Sequence, residues 1–415
     1  MPPPCPTLPF RQTFPILSTN CSSGPRHLGT TYVQCARKEF STYEQTGSEM
    51  AWLLRILGAV TIMGTVLPLI RSGQWFIRVW DFPRLQLLFL LVGVMIGIAF
   101  YHRSFSRTEL IGWLAVCLVA TLWQASHIVK FTPLFRVEVP AASDAASTYR
   151  LLVSNLHYET DTAQFGETVI SELRDVSPDV LILVELDQDW RQALDDLANV
   201  YPYRHEEIRG EGLGLGVWSR LPLESPRTRF LVEERRPSIW AKLMFEGEPV
   251  NLVAVHPTPP GVDDSTGPER RDSRVRDAEL VLIAKEVAAR RNEPWIIAGD
   301  FNDVAWSHTT RLFKRLSGLN DPRVGRNFLG TFHSRYPLLR FPIDHVFVSD
   351  GFAMRNLQRH YITGSDHFAV SVDLSLVMRN AGTTPEPQGD DPAEATELLH
   401  QGIEDAQQRG VSAAP

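Results

Sequence analysis

The chain has 415 residues, 44% of them hydrophobic and 21% charged, which is enough apolar mass for a substantial core and too much for a chain disordered throughout. At about 150 residues per domain there is room for two or three units. The net charge of −7 excludes a generally basic protein that coats nucleic acid, and four cysteines without a CxxC pair exclude a disulfide scaffold.

Residues 1–49 are polar and Pro-rich, hold Cys5, Cys21 and Cys35, and show neither an amphipathic period nor an apolar signal-peptide core. They read as a disordered tail or, because a hydrophobic block starts directly after Met50, as sequence upstream of an initiating Met50. Three apolar segments follow, at 51–70, 85–101 and 110–129. A bilayer core of about 30 Å takes about 20 apolar residues, with a range of about 17–25, so three transmembrane helices are expected. Trp75, Trp80, Trp113 and Trp123 stand toward the segment ends, as interfacial aromatics do. Arg37, Lys38, Arg55, Arg103 and Arg107 flank one side and Arg71, Arg78, Arg84, Lys130 and Arg136 the other, so the positive-inside rule barely separates the two orientations. The lack of cysteine after Cys117 tips the expectation toward a multi-pass protein of the cell membrane with an extracytoplasmic main domain.

From 140 to 376 the pattern changes to an α/β alternation. Strand-like runs lie at 150–156, 179–185, 215–219, 239–245, 250–256, 295–299, 343–348 and 368–374, with helical patterns at 164–176, 189–198 and 268–291. Residues 377–415 are acidic and rich in Pro and Gly, and read as a disordered tail with a short helical stretch near 393–407.

Polar residues gather at the ends of the strand-like runs. Asn155 closes LLVSN, Glu185 closes DVLILVE and His256 closes VNLVAVH. Asp300 and Asn302 lie in GDFN, Asp344 in FPIDHVFVS, and Asp366 with His367 in GSDH. Ligands of open α/β sheets bind beyond the strand ends, so these side chains can converge on one pocket. Four carboxylates, two Asn and two His suit a hard cation such as Mg²⁺ or Mn²⁺, not a sulfur-loving one. A strand-end Asp or Asn taken alone is a turn or cap residue; it is the ordered series that points to chemistry. No GxSxG or HExxH occurs. The glycines at 212, 214 and 216 lead into a strand, which reads as a loop at the site edge and not as a dinucleotide loop.

The series SN, VE, VH, GDFN, IDHV and SDH resembles the endonuclease/exonuclease/phosphatase superfamily, the DNase I-like group, over residues 148–376. The three apolar segments ahead of it are similar to the architecture of bacterial VanJ-type teicoplanin-resistance proteins. The resemblance implies a four-layer α/β/β/α sandwich preceded by three transmembrane helices. It also implies a divalent-metal-dependent hydrolase of phosphoester or pyrophosphate bonds. Glu185, Asn155 and Asp366 are then the metal ligands. Asp300 is the general base, and Asn302 holds the attacking water or a phosphate oxygen. Asp344 orients His367 toward the scissile phosphate, and His256 assists the leaving group. Where some members place an acid two residues after the first-strand Asn, this chain has His157, so the metal shell implied on that side is either thinner or includes His157. His205, His308, His333 and His345 read as structural or surface residues, and the basic run at 270–276 (RRDSRVR) as a solvated helix start in preference to a phosphate contact.

Between 140 and 376 there are 27 Lys and Arg against 35 Asp and Glu, a net charge of −8. That domain lacks the basic footprint of a nucleic-acid binder, and its place beside the membrane favours a lipid-linked phosphate. Undecaprenyl pyrophosphate is the specific expectation, with a nuclease acting on DNA or RNA as the alternative. No protein partner is evident.

Overall fold

The computed structural model describes residues 27–261, 272–377 and 384–413. It opens with helix α1 (His27–Val66), a short α2 (Trp75–Arg78), α3 (Arg84–Phe100) and α4 (Arg107–Ile128). Among the described residues, Gln45–Leu69 and Arg107–Phe131 are long and apolar enough to cross a membrane. Trp75–Asp81 and Arg84–Phe100 also qualify if taken as one span, but they meet at a 74° bend. The bend follows from Pro83, which caps α3 and has no N–H to continue a helix. Helix α4 starts at a capping box in which Ser106 and Glu109 satisfy each other's backbone donors. The sequence reading of 1–49 as a disordered tail is corrected in its described part, since α1 runs unbroken from His27 through Met50; residues 1–26 lie outside the described ones.

The remaining elements, in chain order, are β1 (Tyr149–Asn155), α5 (Thr162–Val176), β2 (Val180–Val184), α6 (Gln188–Ala193), α7 (Asp195–Ala198), β3 (Tyr203–Glu207), β4 (Leu215–Ser219), β5 (Leu223–Phe230), β6 (Pro237–Phe245), β7 (Glu248–Val255), α8 (Arg274–Ala289), β8 (Trp295–Asp300), α9 (His308–Ser317), β9 (Asp344–Val348), β10 (Phe352–Tyr361), β11 (Phe368–Leu376) and α10 (Asp391–Gln408). They form two sheets, ordered β10-β11-β1-β2-β4-β3 and β5-β6-β7-β8-β9. Side chains that alternate along the strands interdigitate between the sheets: Leu151, Val153, Ile182 and Val184 of one meet Leu252, Ala254, Ile296 and Ala298 of the other. On the outer face of the first sheet Leu152, Leu181 and Leu183 bury Val169, Ile170 and Leu173 of α5. On the outer face of the second, Val253, Val255 and Ile297 bury α8 and α9. The result is an α/β/β/α sandwich.

The edge strands β3, β5 and β10 are absent from the sequence reading because their side chains are largely polar or exposed, which blurs the alternation that marks a half-buried strand. The reading of 377–415 as a disordered tail is also corrected: α10 docks on α8. Its Ala395, Gly402 and Ala406 are buried, and a Cβ at Gly402 would lie 2.3 Å from that of Ala278, so small residues permit the close approach. Arg274 of α8 pairs with Asp405 across this contact, and Arg315 of α9 pairs with Asp391 at the start of α10.

Candidate active site

The two parallel strand pairs place the polar residues at one rim. The register sets Asn155 beside Val184 and Val255 beside Gly299, so Glu185 follows next to Asn155, and His256 next to Asp300. Asp300 faces Asp344 in the antiparallel β8–β9 pair. Asp366 and His367 immediately precede β11. Asn155 then bridges the two sheets: its Nδ2 donates to Glu185 Oε1 at 3.0 Å and to Asp300 Oδ2 at 3.2 Å.

The backbone around this rim is specialised. His157, Glu185 and Asn302 have φ of 57°, 63° and 51°, a left-handed conformation that few non-glycine residues adopt and that gathers at functional sites. Gly299 is needed for close approach, because a Cβ there would lie 1.9 Å from the Val255 carbonyl oxygen. Gly214 is packed likewise, with a Cβ only 1.8 Å from the Leu186 carbonyl oxygen, so the glycine loop lies beside Glu185. Tyr158 N donates to Glu185 Oε2 at 3.0 Å and His157 N to Asn155 Oδ1 at 3.0 Å, which fixes both side chains.

His367 is held from both ends. Its backbone N donates to Ser365 Oγ, whose hydroxyl donates to the Asn155 carbonyl. Its Nδ1 donates to Asp344 Oδ2 at 2.8 Å, which leaves Nε2 aimed into the pocket, 3.7 Å from Asp300 Oδ2 and 4.0 Å from Asp366 Oδ1. Burial works against charge on this ring, but Asp344 and Asp300 outweigh it and hold the imidazole up to about 10. Burial and the neighbouring Asp344 push the Asp300 carboxyl up to about 7. His256 behaves oppositely: burial and the Arg236 guanidinium keep it well below the usual histidine range, so it is a neutral acceptor for Arg236 Nη1, 3.1 Å from its Nδ1.

Ligand atoms of Asp300, Asp344 and His367 lie within 4.8 Å of one another. The Asp344-bound, protonated imidazole is a donor and not a ligand, so a cation is left with the oxygen groups. A buried carboxylate raised by a second carboxylate is a site short of positive charge, and a hard divalent ion fits that donor set.

The expected site residues Asn155, Glu185, His256, Asp300, Asn302, Asp344, Asp366 and His367 therefore come together at one rim; all but Asn155 and Asp344 line a single pocket of about 1000 Å³. His157 stands beside them, its Nδ1 3.6 Å from Asp366. His345 is buried and donates from Nε2 to the Asp303 carbonyl, while His205 meets Thr228, His308 meets Glu394, and His333 Nδ1 accepts from Arg335 N. The basic run is corrected. Arg276 is buried, donates from Nη1 to the Asn302 carbonyl at 2.6 Å, and pairs with Asp277 and Asp303; residues 270 and 271 lie outside the described ones. No sequence pattern marked Arg236, a buried cation in the pocket wall, or Trp75, Trp80 and Phe82 as lining the same pocket.

The model of the endonuclease/exonuclease/phosphatase family matches residues 154–367, more than half of the chain and the whole of this rim. The chain belongs to the endonuclease/exonuclease/phosphatase family. It is a metal-dependent phosphoester hydrolase of that family. No curated protein matches it. Among solved structures, it is similar to D. rerio TDP2 complexed with a single-strand DNA product, at 17% identity over 55% of this chain and 99% of that one, TM-score 0.45. It is similar to an endonuclease/exonuclease/phosphatase from Beutenbergia cavernae DSM 12333 at 18% identity, over 57% of this chain and 73% of that one, TM-score 0.43. The human Nocturnin catalytic domain with bound sulfate gives 15% identity, 57% and 97% coverage, and TM-score 0.43.

Proposed function

We propose that the protein is a membrane-anchored phosphohydrolase that cleaves a phosphoester or pyrophosphate bond of a lipid-linked phosphate, with a carrier-lipid pyrophosphate such as undecaprenyl pyrophosphate as the specific substrate. The observation that carries this reading is the clamp between the catalytic rim and the apolar helices. Arg78, in the segment that joins the first two of them, donates to Thr309 and lies 3.8 Å from Asp303, which follows Asn302 in the chain. On the other side of the contact Trp306 Nε1 donates to the Asp81 carbonyl at 2.6 Å. The active-site loop is thus bolted to the ends of helices apolar enough to enter a bilayer. All three helices cross it in this reading, which places the segment 71–84 and the catalytic domain on one side, the extracytoplasmic side of the cell membrane.

Glu185, Asn155 and Asp366 would hold Mg²⁺ or Mn²⁺, which would supply charge neutralisation at the phosphoryl group. Asp300 accepts a proton from the attacking water, for which a carboxyl raised to about 7 is suited. Asn302, whose backbone N donates to Asp300 Oδ1 at 2.9 Å, holds that water or a phosphate oxygen. His367, charged and fixed by Asp344, donates from Nε2 to the phosphate. His256, beside Arg236, faces the leaving group. The test is phosphate release by the full chain, with Mg²⁺ or Mn²⁺, from lipid phosphates, inositol phosphates and DNA. Faster release from a lipid pyrophosphate supports the reading; DNA nicking without lipid turnover replaces it with the nuclease.

A further inference from the structure

We infer that the pocket is built in two halves and opens toward the bilayer, its apolar half holding the hydrocarbon chain of the substrate as the phosphate lies against the carboxylate–histidine floor. The inference rests on the lipid-phosphate reading above and assigns the residues that read the lipid. The pocket lining includes the polar floor of Glu185, Asp300 and His367 and an apolar wall of Trp75, Trp80 and Phe82 from the helix connection, with Phe332, Leu339 and Phe341 from the catalytic domain. The two parts of this wall meet through Phe82, whose ring packs edge-on against Trp75 at 5.5 Å and against Phe341 at 5.6 Å. Phe332 continues it to the chemistry, its ring centroid 5.0 Å from that of His367.

The place of this wall indicates its occupant. The loop carrying Leu339 is tied to an apolar helix, because Gln86 Nε2, in the first turn of α3, donates to the Leu338 carbonyl at 2.6 Å. Leu338 is 81% exposed and Leu339 54%, and Phe76 on the facing segment is 63% exposed. Leu339 and Trp75 line the pocket, and exposed Leu338 and Phe76 are their chain neighbours. Large apolar side chains so placed, those of Leu338 and Leu339 on a loop tied to the first turn of the apolar helix α3, match an interface where one end of a molecule is wet and the other is in hydrocarbon. A water-soluble phosphodiester needs no such wall. A lipid entering sideways from the bilayer meets it first and reaches the phosphate floor without leaving apolar surroundings.

The experiment compares two pyrophosphates with the same headgroup, five-carbon dimethylallyl pyrophosphate and fifteen-carbon farnesyl pyrophosphate, using the full chain in detergent with Mg²⁺ and phosphate release as readout. In the unaltered protein kcat/KM should favour the longer chain by about tenfold or more, since each buried methylene adds to binding. Phe82→Ser, and separately Leu339→Asp at an exposed position that folding tolerates, should each erase most of that preference. Equal turnover of both chains by the unaltered protein, or a preference that survives both substitutions, overturns the inference and leaves the lipid-phosphate reading standing. A change of oligomeric state in the Leu339→Asp protein overturns it in favour of a second copy covering the wall. Plasmid cleavage with no release from either pyrophosphate overturns the lipid reading itself.

Discussion

His367 Nδ1 donates to Asp344 Oδ2 at 2.8 Å, and both side chains are buried. That contact fixes the tautomer, aims Nε2 at the pocket and keeps the ring charged. The charge is maintained against burial, so it depends on Asp344 and Asp300 together.

Asp344→Asn should keep the ring nearly in place and remove its charge support. Turnover should drop by on the order of 10²-fold, within the about 10²–10⁴ that a positioned proton donor supplies. Because the folded-state pKa of His367 is raised, loss of Asp344 lowers it, and the alkaline limb of the pH–rate profile should move to lower pH. An unmoved limb would show that His367 is not the group titrating there. His367→Ala should cost at least as much as Asp344→Asn.

Asp300 should separate activity from stability. Burying it beside Asp344 is unfavourable without a cation, so Asp300→Asn should raise the Tm of chelator-treated protein and reduce turnover by on the order of 10²-fold or more. EDTA should abolish activity of the unaltered protein, and Mg²⁺ or Mn²⁺ should restore it and raise its Tm by binding the native state. A chelator-treated Asp300→Asn protein less stable than its parent would refute the charge-crowding account.

Much of this site was legible because the central strands carry it. Their apolar runs end in the residue types that phosphate chemistry needs, and parallel pairing brings those ends level. The contribution of α2 and its flanks was not legible, since a tryptophan between two apolar helices reads as a bilayer-interface residue and nothing local shows that it turns toward a pocket some 220 positions away in sequence. Arg276 was misread for a related reason. Arginines opening a charged helix are ordinarily solvated, and the burial of this one depends on Asp277 together with the Asn302 carbonyl and Asp303, the last two distant in sequence. The docking of α10 was missed because its fully buried contacts are Ala and Gly, with Leu398 and Leu399 the large apolar side chains that join them. That is a weak hydrophobic signal in an acidic segment, but it still allows close approach to α8.

Arg276 supports the active-site loop through the Asn302 carbonyl and neutralises Asp277 and Asp303, all in a region closed to water. Arg276→Ala leaves two buried carboxylates short of a partner, a loss of about 3–5 kcal/mol. Chemical denaturation should show that loss as a lower midpoint at unchanged slope. A shift below about 1 kcal/mol would place the two carboxylates in contact with solvent.

His345 makes stability fall with acid. Burial and Arg323 keep its pKa well below the usual histidine value. The unfolded chain therefore takes up a proton near pH 6.5 that the folded chain refuses, and stability is complete above that pH and falls below it. Each such histidine contributes a slope of up to about 1.4 kcal/mol per pH unit. His345→Asn should lower the slope between pH 6.5 and 5 by about one proton, whatever it does to absolute stability. An unchanged slope would assign the proton uptake elsewhere, with His256 the next group to test.

The clamp also constrains topology. Gly73 O accepts from Ser273 N, and Gln74 pairs with Asp272, so the first helix connection and the catalytic domain must share a side of any membrane that the helices cross. At the other end Arg55 Nη2 donates to the Ser104 carbonyl, joining the first helix to the second connection. If all three helices cross, as proposed above, Ser72 and Leu338 lie on one side and Arg103 on the other. In a cysteine-free background, single cysteines at 72 and 338 should react with a membrane-impermeant maleimide on intact cells, and one at 103 only after permeabilisation. The reverse pattern would keep three spans but move the catalytic domain to the cytoplasm and remove the wall-lipid substrate. Reaction of 72 and 103 from the same side would mean that the 74° bend marks a re-entrant segment and not a crossing, and would contradict the contact of Gly73 and Gln74 with the catalytic domain.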